Sequence, residues 1–163
     1  MPDSIQNTED MKSQENIISE IKLAVKKLCQ EYPGEYWREL DRNQKYPTDF
    51  VKALTEAGFL SVLIPEDFGG SGLGIQAAST ILEEIHHQGC NAAACHAQMY
   101  TMGTVLRHGS EEQKKKYLPK IADGSLRLQA FGVTEPTSGT DTTSLRTTAV
   151  KEGSEYIING QKI

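Results

Sequence analysis

Apolar residues recur at intervals of three and four along most of the first 122 residues, which is the pattern of amphipathic helices. The first stripe consists of Ile17, Ile21, Val25, Leu28 and Tyr32. Similar stripes occupy residues 50–57, 75–85 and 95–106. The pattern predicts a helical N-terminal domain over residues 14–124, preceded by a flexible tail over residues 1–13.

Local signals indicate where several of these helices begin and end. Gly58 follows an apolar stripe and is expected to be the left-handed residue after a helix. Ser110 with Gln113 three positions later is typical of a capping box at a helix N-terminus. Pro119 is expected to break the helix that follows, because proline has no amide proton.

After Gly124 the helical period disappears and the pattern favours strands. Strands are predicted at residues 126–134, 145–150 and 156–158, with a polar turn at 151–154. Asn159-Gly160 is a strong hairpin signal, after which a returning strand is expected to begin. The sequence therefore predicts a mainly α, multi-domain α+β chain whose residues 125–163 begin an incomplete, truncated β domain.

Composition narrows the classes of protein that fit. Hydrophobic residues make up 37% and charged residues 24%, which is typical of a globular protein and not of a disordered one. The net charge of −5 argues against a nucleic-acid-binding protein. No apolar run is long enough for a membrane span, and the polar N-terminus predicts no secretory signal. Three cysteines are too few for a disulfide framework, so a cytoplasmic location is expected.

Two groups of residues could carry chemistry in the helical part. The metal-ligand types are His87, Cys90, Cys95 and His96. Because Cys95 lies on an apolar stripe and neighbouring helical residues point about 100° apart, these four are interpreted as core or pocket residues. The potential acid–base residues are Glu83, Glu84, His86 and His87. They are expected to face solvent, since the apolar residues around them take the other side of the helix.

The strongest signal is the segment FGVTEPTSGTD at residues 131–141. A predicted strand there leads into Glu135-Pro136 and a turn rich in small hydroxyl residues. Exposed amides and hydroxyls suit a planar or phosphorylated ligand rich in acceptors. A plain strand–turn–strand connection fits the same residues, since proline and glycine favour turns. The residues alone leave both interpretations open.

This segment resembles the signature of the acyl-CoA dehydrogenase family, which has V-T-E-P, a short turn and G-S-D. The resemblance extends over residues 15–163 and keeps the family's order of motifs. The other motifs are Tyr46-Pro47, IPEDFGGSGLG at 64–74, EEQKKKYLPKIADG at 111–124 and EYIINGQK at 155–162. The family fold implies an N-terminal helical domain, a middle β-barrel domain and a C-terminal helical bundle, of which the third is expected to be absent here.

The resemblance implies an FAD-dependent enzyme that desaturates acyl-CoA thioesters between Cα and Cβ, with hydride transfer to flavin N5. It implies fatty acid β-oxidation, an electron-transfer flavoprotein as electron acceptor and a homo-oligomer. The catalytic carboxylate belongs to the C-terminal bundle, so no catalytic residue is expected in this chain and the fragment alone is expected to be inactive. The alternatives are a non-catalytic binding or partner module of the same fold and a related flavin oxidase or monooxygenase.

The resemblance also implies roles for individual residues. The residues implied to bind the flavin are Phe131, Gly132, Val133, Thr134, Gly139 and Thr140. The Thr134 hydroxyl would donate to flavin N5, and Thr140 replaces the usual serine that contacts the FAD diphosphate and the CoA arm. His96 and Met99 lie on the helix that closes the acyl pocket and are implied to contact substrate, although an outward or core position for His96 stays open. Glu135 and Asp141 are expected to shape the loop.

Overall fold

A computed structural model describes the backbone of residues 3–163 and the side chains from residue 12 onward. This part of the chain is mostly helical, with three short 3₁₀ turns at Phe59–Ser61, Glu66–Phe68 and Thr142–Ser144. The regular elements are α1 (Asp3–Cys29), α2 (Gly34–Arg42), α3 (Thr48–Glu56), α4 (Ile75–His87), α5 (Ala93–His108), α6 (Glu111–Ala122), β1 (Thr148–Glu152) and β2 (Glu155–Asn159). No helix in these residues is long and apolar enough to cross a membrane.

The chain divides into two compact units, here called the helical unit, which ends at Gln129, and the β unit, Ala130–Ile163. The division comes a few residues after the domain boundary that the sequence predicts at residue 124. Instead of a tail that reaches residue 13, the structure has α1 beginning at Asp3, while residues 1 and 2 lie outside the described residues. The sequence from residue 3 to Cys29 contains neither proline nor glycine, so nothing interrupts the helix even where it has no apolar stripe.

The core of the helical unit consists of two apolar clusters. The larger cluster joins α1, α3 and α4, and Phe50 of α3 is only 1% exposed. Edge-on ring contacts with centroids about 5 Å apart link Phe50 to Tyr32 and Trp37. The smaller cluster consists of Ile64, Met102, Leu118 and Ile121. Of these four, Met102 lies on a stripe that the periodicity predicts.

The face of α4 differs from the prediction at one residue. Ala78, Ile81 and Ile85 are buried, and Glu83, His86 and His87 are exposed, as the pattern indicates. Glu84, which was expected to face solvent, is buried with 2% exposure. The prediction for Glu84 was wrong because α1 packs along α4 and covers this side of the helix.

The predicted helix ends are confirmed at two of three positions. Gly58 has φ of +77° directly after α3, and Ser110 and Gln113 form both hydrogen bonds of a capping box at α6. Pro119, however, does not break α6, which continues to Ala122. The buried side chains of Leu118 and Ile121 hold this last turn against the core, and that packing offsets the hydrogen bond that proline cannot donate.

In the β unit, β1 and β2 form an antiparallel hairpin with Thr148 opposite Asn159 and Glu152 opposite Glu155. The loop is Gly153-Ser154, within the predicted turn, and Gly153 has φ of +63°, which suits the first position of a type II′ turn. Both strands are exposed along their full length. The predicted hairpin of residues 145–158 is thus confirmed, with its first strand shifted by a few residues.

The strand predicted at residues 126–134 is wrong. Leu126 and Leu128 do alternate onto the smaller core cluster, but this extended segment has no neighbouring strand among the described residues. A ladder needs a partner strand, whereas the backbone hydrogen bonds of this segment run from Leu126 N to Lys120 O at 2.9 Å and from Ile163 N to Thr134 O at 3.0 Å. The hairpin turn predicted at Asn159-Gly160 is wrong as well, because Asn159 ends β2 and residues 160–163 form no returning strand. A Cβ at Gly160 would collide with Thr147.

Candidate functional site

The segment at residues 131–141 is anchored through the carboxylate of Glu135. It accepts hydrogen bonds from the amides of Arg146 (2.6 Å) and Thr147 (3.1 Å). Lys162 Nζ donates to the same carboxylate at 2.8 Å. The side chain of Glu135 is nearly inaccessible to solvent, so these three donors replace its hydration. Glu135 therefore ties the segment to the two residues just before β1 and to the residues after β2.

The same contacts fix the charge of this group. The hydrogen bond from Lys162 is the largest effect, followed by those from Thr147 and Arg146, and together they lower the pKa of Glu135 to about 2. Glu135 is thus ionised at neutral pH and neutralised by Lys162. Its carboxylate binds donors within the same unit and so shapes the loop, as the sequence predicts.

The second half of the segment is a tight turn closed by its own polar groups. Glu135 and Ser138 exchange backbone hydrogen bonds of 2.9 and 3.1 Å, and the Ser138 hydroxyl donates to the carbonyl of Asp141. The carboxylate of Asp141 accepts from the hydroxyl of Ser144 and from the amide and hydroxyl of Thr143. These hydrogen bonds, led by that from Ser144, lower the pKa of Asp141. Both acidic groups of the segment are therefore turned towards internal donors.

The six residues implied to bind the flavin lie along this segment. Val133 is half-buried, and the exposed ones are Phe131, Gly132, Thr134, Gly139 and Thr140. The carbonyl of Val133 accepts from Lys162 Nζ at 3.1 Å, and the carbonyl of Thr134 accepts from Ile163 N. The hydroxyls of Thr134 and Thr140 have no hydrogen-bond partner in the part of the chain that the structure describes. The segment thus uses its acceptors internally and leaves hydroxyl donors exposed.

The structure places the two candidate substrate residues of α5 on different sides of the helix. His96 is exposed and lines a cavity of about 480 Å³ whose α5 wall is otherwise mainly alanine. Its ring meets Tyr100 edge-on, with centroids 5.2 Å apart. Met99 is buried in the larger core cluster and borders a separate cavity of about 320 Å³ with Gly103. The roles of His96 and Met99 at a substrate stay predictions.

The sequence did not predict a contact between two polar residues that line the larger cavity, Tyr46 and Gln129. The hydroxyl of Tyr46 donates to Gln129 Oε1 at 2.5 Å, and Gln129 Nε2 donates to the carbonyl of Ala94 at 3.2 Å. Tyr46 and Gln129 are 83 residues apart in the chain, so no local spacing could connect them. These two hydrogen bonds connect the segment after α6 to Tyr46 and to the N-terminal end of α5.

The four residues with metal-ligand spacing do not form a cluster. Cys90 and Cys95 are buried free thiols, whereas His87 and His96 are exposed. The Cys90 thiol donates to the carbonyls of Cys29 and Tyr32, both at 3.8 Å. Burial raises the pKa of Cys95 to about 12. Among the described residues there is no group of three or more side chains placed to hold a metal ion.

Comparison with known proteins identifies relatives of this chain by sequence and by fold. The sequence model described as "Acyl-CoA dehydrogenase, N-terminal domain" matches residues 18–125. Acyl-CoA dehydrogenase FadE12 of Mycobacterium tuberculosis is 35% identical over 144 residues, covering 88% of this chain and 37% of the relative. FadE29 of the same organism is 42% identical over 126 residues, covering 77% of this chain and 32% of the relative.

Solved structures agree with these relatives. The crystal structure of acyl-CoA dehydrogenase from Geobacillus kaustophilus superimposes with a TM-score of 0.77 at 30% identity, covering 89% of this chain and 38% of the other. The chain therefore belongs to the acyl-CoA dehydrogenase family. The resemblance and the mainly helical α+β fold that the sequence predicted are confirmed. The chain spans a little over a third of the length of the first curated relatives that it matches.

Proposed function

We propose that this chain forms the N-terminal helical domain and part of the flavin-binding side of the middle domain of an FAD-dependent acyl-CoA dehydrogenase. Family membership supports the reaction class, and the segment at residues 131–141 supports the cofactor. The observation that carries the proposal is that both carboxylates of this segment are satisfied internally while its hydroxyls remain exposed.

The residues of this segment fit FAD by their donor chemistry. A flavin presents acceptor atoms along its pyrimidine edge, and the FAD diphosphate is anionic. The exposed hydroxyls of Thr134 and Thr140 are donors, and the negative charge of Glu135 is compensated by Lys162 at 2.8 Å. Gly132 and Gly139 have no side chain to obstruct a planar ring. When bound, FAD supplies the acceptor for the two electrons that leave the acyl-CoA.

The chain's own residues would bind and orient both ligands. Thr134 would donate a hydrogen bond to the flavin ring, and Phe131, Gly132 and Val133 would help to hold it. Thr140 retains the hydroxyl of the family's usual serine and contacts the FAD diphosphate and the CoA arm. On the helical side, His96 and Met99, which border separate cavities, are each proposed to contact the acyl-CoA. An electron-transfer flavoprotein, a homo-oligomeric assembly, a cytoplasmic location and a role in fatty acid β-oxidation belong to the same proposal.

The test is to express the whole reading frame that contains these residues and to measure flavin content and flavin bleaching by acyl-CoA without oxygen. We expect bound FAD and substrate-dependent bleaching. We expect the 163-residue chain alone to retain little FAD, because half a site rarely offsets the entropy of binding. A whole product without flavin and without acyl-CoA oxidation would favour the non-catalytic module.

A matched pair of variants in the same product tests the role of Thr134. Thr134→Val keeps the shape of the side chain and removes the donor. A hydrogen bond to a group that gains charge is worth about 1.5–3 kcal/mol, so bleaching should slow by about 10- to 100-fold with FAD retained. Thr137→Val removes an exposed hydroxyl of the same loop that is outside the proposed set, and it should leave the rate unchanged. Equal rates in the two variants would contradict the assignment.

A further inference from the structure

Another cavity lies between α1 and α4 of the helical unit, separate from those that His96 and Met99 border. Its volume is about 350 Å³, large enough for a small organic molecule. The side chains that matter for its chemistry are Lys22, Leu23 and Lys26 from α1 and Glu84, His87 and Gln88 from the end of α4. The proposed acyl-CoA chemistry uses none of these residues.

Glu84 gives this cavity an unsatisfied acceptor. Its side chain is 2% exposed, and Oε1 accepts a hydrogen bond from Gln88 Nε2 at 2.6 Å. The other oxygen, Oε2, has no hydrogen-bond partner among the described residues. The ammonium of Lys22 lies 3.8 Å from Oε2, which compensates charge but is too far for a hydrogen bond. A buried carboxylate oxygen without a donor is costly, so the cavity favours a ligand that brings one.

The rim of the cavity has the opposite charge. Lys22 and Lys26 are one helical turn apart on α1, and both residues are exposed. The side chain of Lys22 is 56% exposed, so its flexible stem can leave Glu84 and reach a ligand. His87 is exposed on the facing end of α4. One carboxylate and two lysines leave a net positive site with a negatively charged floor.

We propose that this cavity binds a small amino acid-like zwitterion that carries two carboxylates. Its ammonium donates to Glu84 Oε2 and takes the place of Lys22. Its carboxylates pair with Lys22 and Lys26, so that the charges of site and ligand cancel. The cavity thus selects for an ammonium next to carboxylates, whereas a dicarboxylate without an amine leaves Glu84 Oε2 without its donor.

Titration calorimetry of the 163-residue chain tests this with L-glutamate and with glutarate, which has the same two carboxylates and no amine. We expect L-glutamate to bind at least about ten-fold more tightly than glutarate, since one charge-assisted hydrogen bond separates them. Glu84→Gln should remove that difference. The variant's thermal unfolding, followed by circular dichroism, shows that the fold is retained.

Variants of the exposed lysines keep the test independent of folding. Lys22→Met with Lys26→Met should weaken L-glutamate by at least about ten-fold, whereas Lys27→Met, on the same helix but outside the cavity, should leave its affinity unchanged. Equal affinity for L-glutamate and glutarate, or a Glu84→Gln variant that binds L-glutamate as tightly as the original chain, would overturn the proposal. Absence of L-glutamate binding at millimolar concentration would overturn it as well.

Discussion

The buried side chains of the helical unit are mainly apolar, whereas the two buried residues of the β unit, which is described throughout, are the polar Glu135 and Ser138. The helical unit is therefore stabilised chiefly by removing apolar surface from water. The β unit depends on hydrogen bonds that converge on two carboxylates. The two units of this chain are thus stabilised in different ways, the helical unit by apolar burial and the β unit by hydrogen bonds.

The substitution Phe50→Ala tests whether apolar burial stabilises the helical unit, and it has the largest expected effect. Phe50 is at the centre of the aromatic contacts and its removal leaves a cavity, so we expect a loss of about 3–5 kcal/mol in the free energy of unfolding. Urea denaturation followed by helical circular dichroism measures this. Ile75→Ala is the control, since Ile75 is 74% exposed and should change stability by less than about 0.5 kcal/mol. Equal losses in the two variants would mean that apolar burial does not dominate here.

On the β side, Glu135→Gln should loosen the loop while leaving the helical unit's unfolding curve unchanged. The amide keeps the size of the side chain but loses the charge that Lys162 and the amides of Arg146 and Thr147 contact. We expect hydrogen exchange at the two amides to accelerate on the order of ten-fold. Asp67→Asn, an exposed carboxylate in the helical unit, is a matched control. Unchanged hydrogen exchange in Glu135→Gln would show that the carboxylate does not hold the loop.

Lowering the pH should reproduce this loosening. The pKa of Glu135 falls from its ordinary value of 4.5 to about 2 in the folded chain. Its contribution is therefore complete above about pH 4.5 and is lost progressively as the pH falls towards 2. The amide proton shifts of Arg146 and Thr147, followed by NMR, should titrate with a midpoint near 2. A midpoint near 4.5, or the same transition in Glu135→Gln, would contradict the assignment.

The smallest expected effect concerns a polar contact inside the helical unit. Ser110→Ala removes one half of the capping box of α6, and we expect a loss of about 1 kcal/mol in the free energy of unfolding. Urea denaturation is again the measurement. Ser110→Asp should restore most of the loss, because aspartate also accepts from the amide of Gln113. A Ser110→Ala variant as stable as the original chain would show that the cap adds nothing here.

The features that the sequence predicted correctly are those that neighbours along the chain determine. The apolar stripes, the capping box at Ser110, the turn residue Gly58 and the hairpin around Gly153 all depend on residues within a few positions. Local sequence patterns were therefore enough to predict the helical unit and the hairpin. The order of the family motifs was enough to predict the family.

The features that it missed depend on residues far apart in the chain. Glu84 is buried by a helix some sixty residues earlier, and Tyr46 meets Gln129 across 83 residues. The segment at 126–134 has the alternation of a strand, but a strand also requires a partner. The donors to Glu135 come from beyond the turn, so the sequence indicated a loop-shaping role without showing what holds the loop.

The anchoring of Glu135 also sets an order of events during synthesis from the N-terminus. Leu126 and Leu128, the last apolar residues that pack on the described core, precede Glu135, so the ribosome has delivered the helical core before the carboxylate appears. The first two donors follow at residues 146 and 147, and Lys162 completes the set. Each contact closes a loop only after the later residue has emerged. The segment at 131–141 thus acquires its full set of contacts only after Lys162 has emerged.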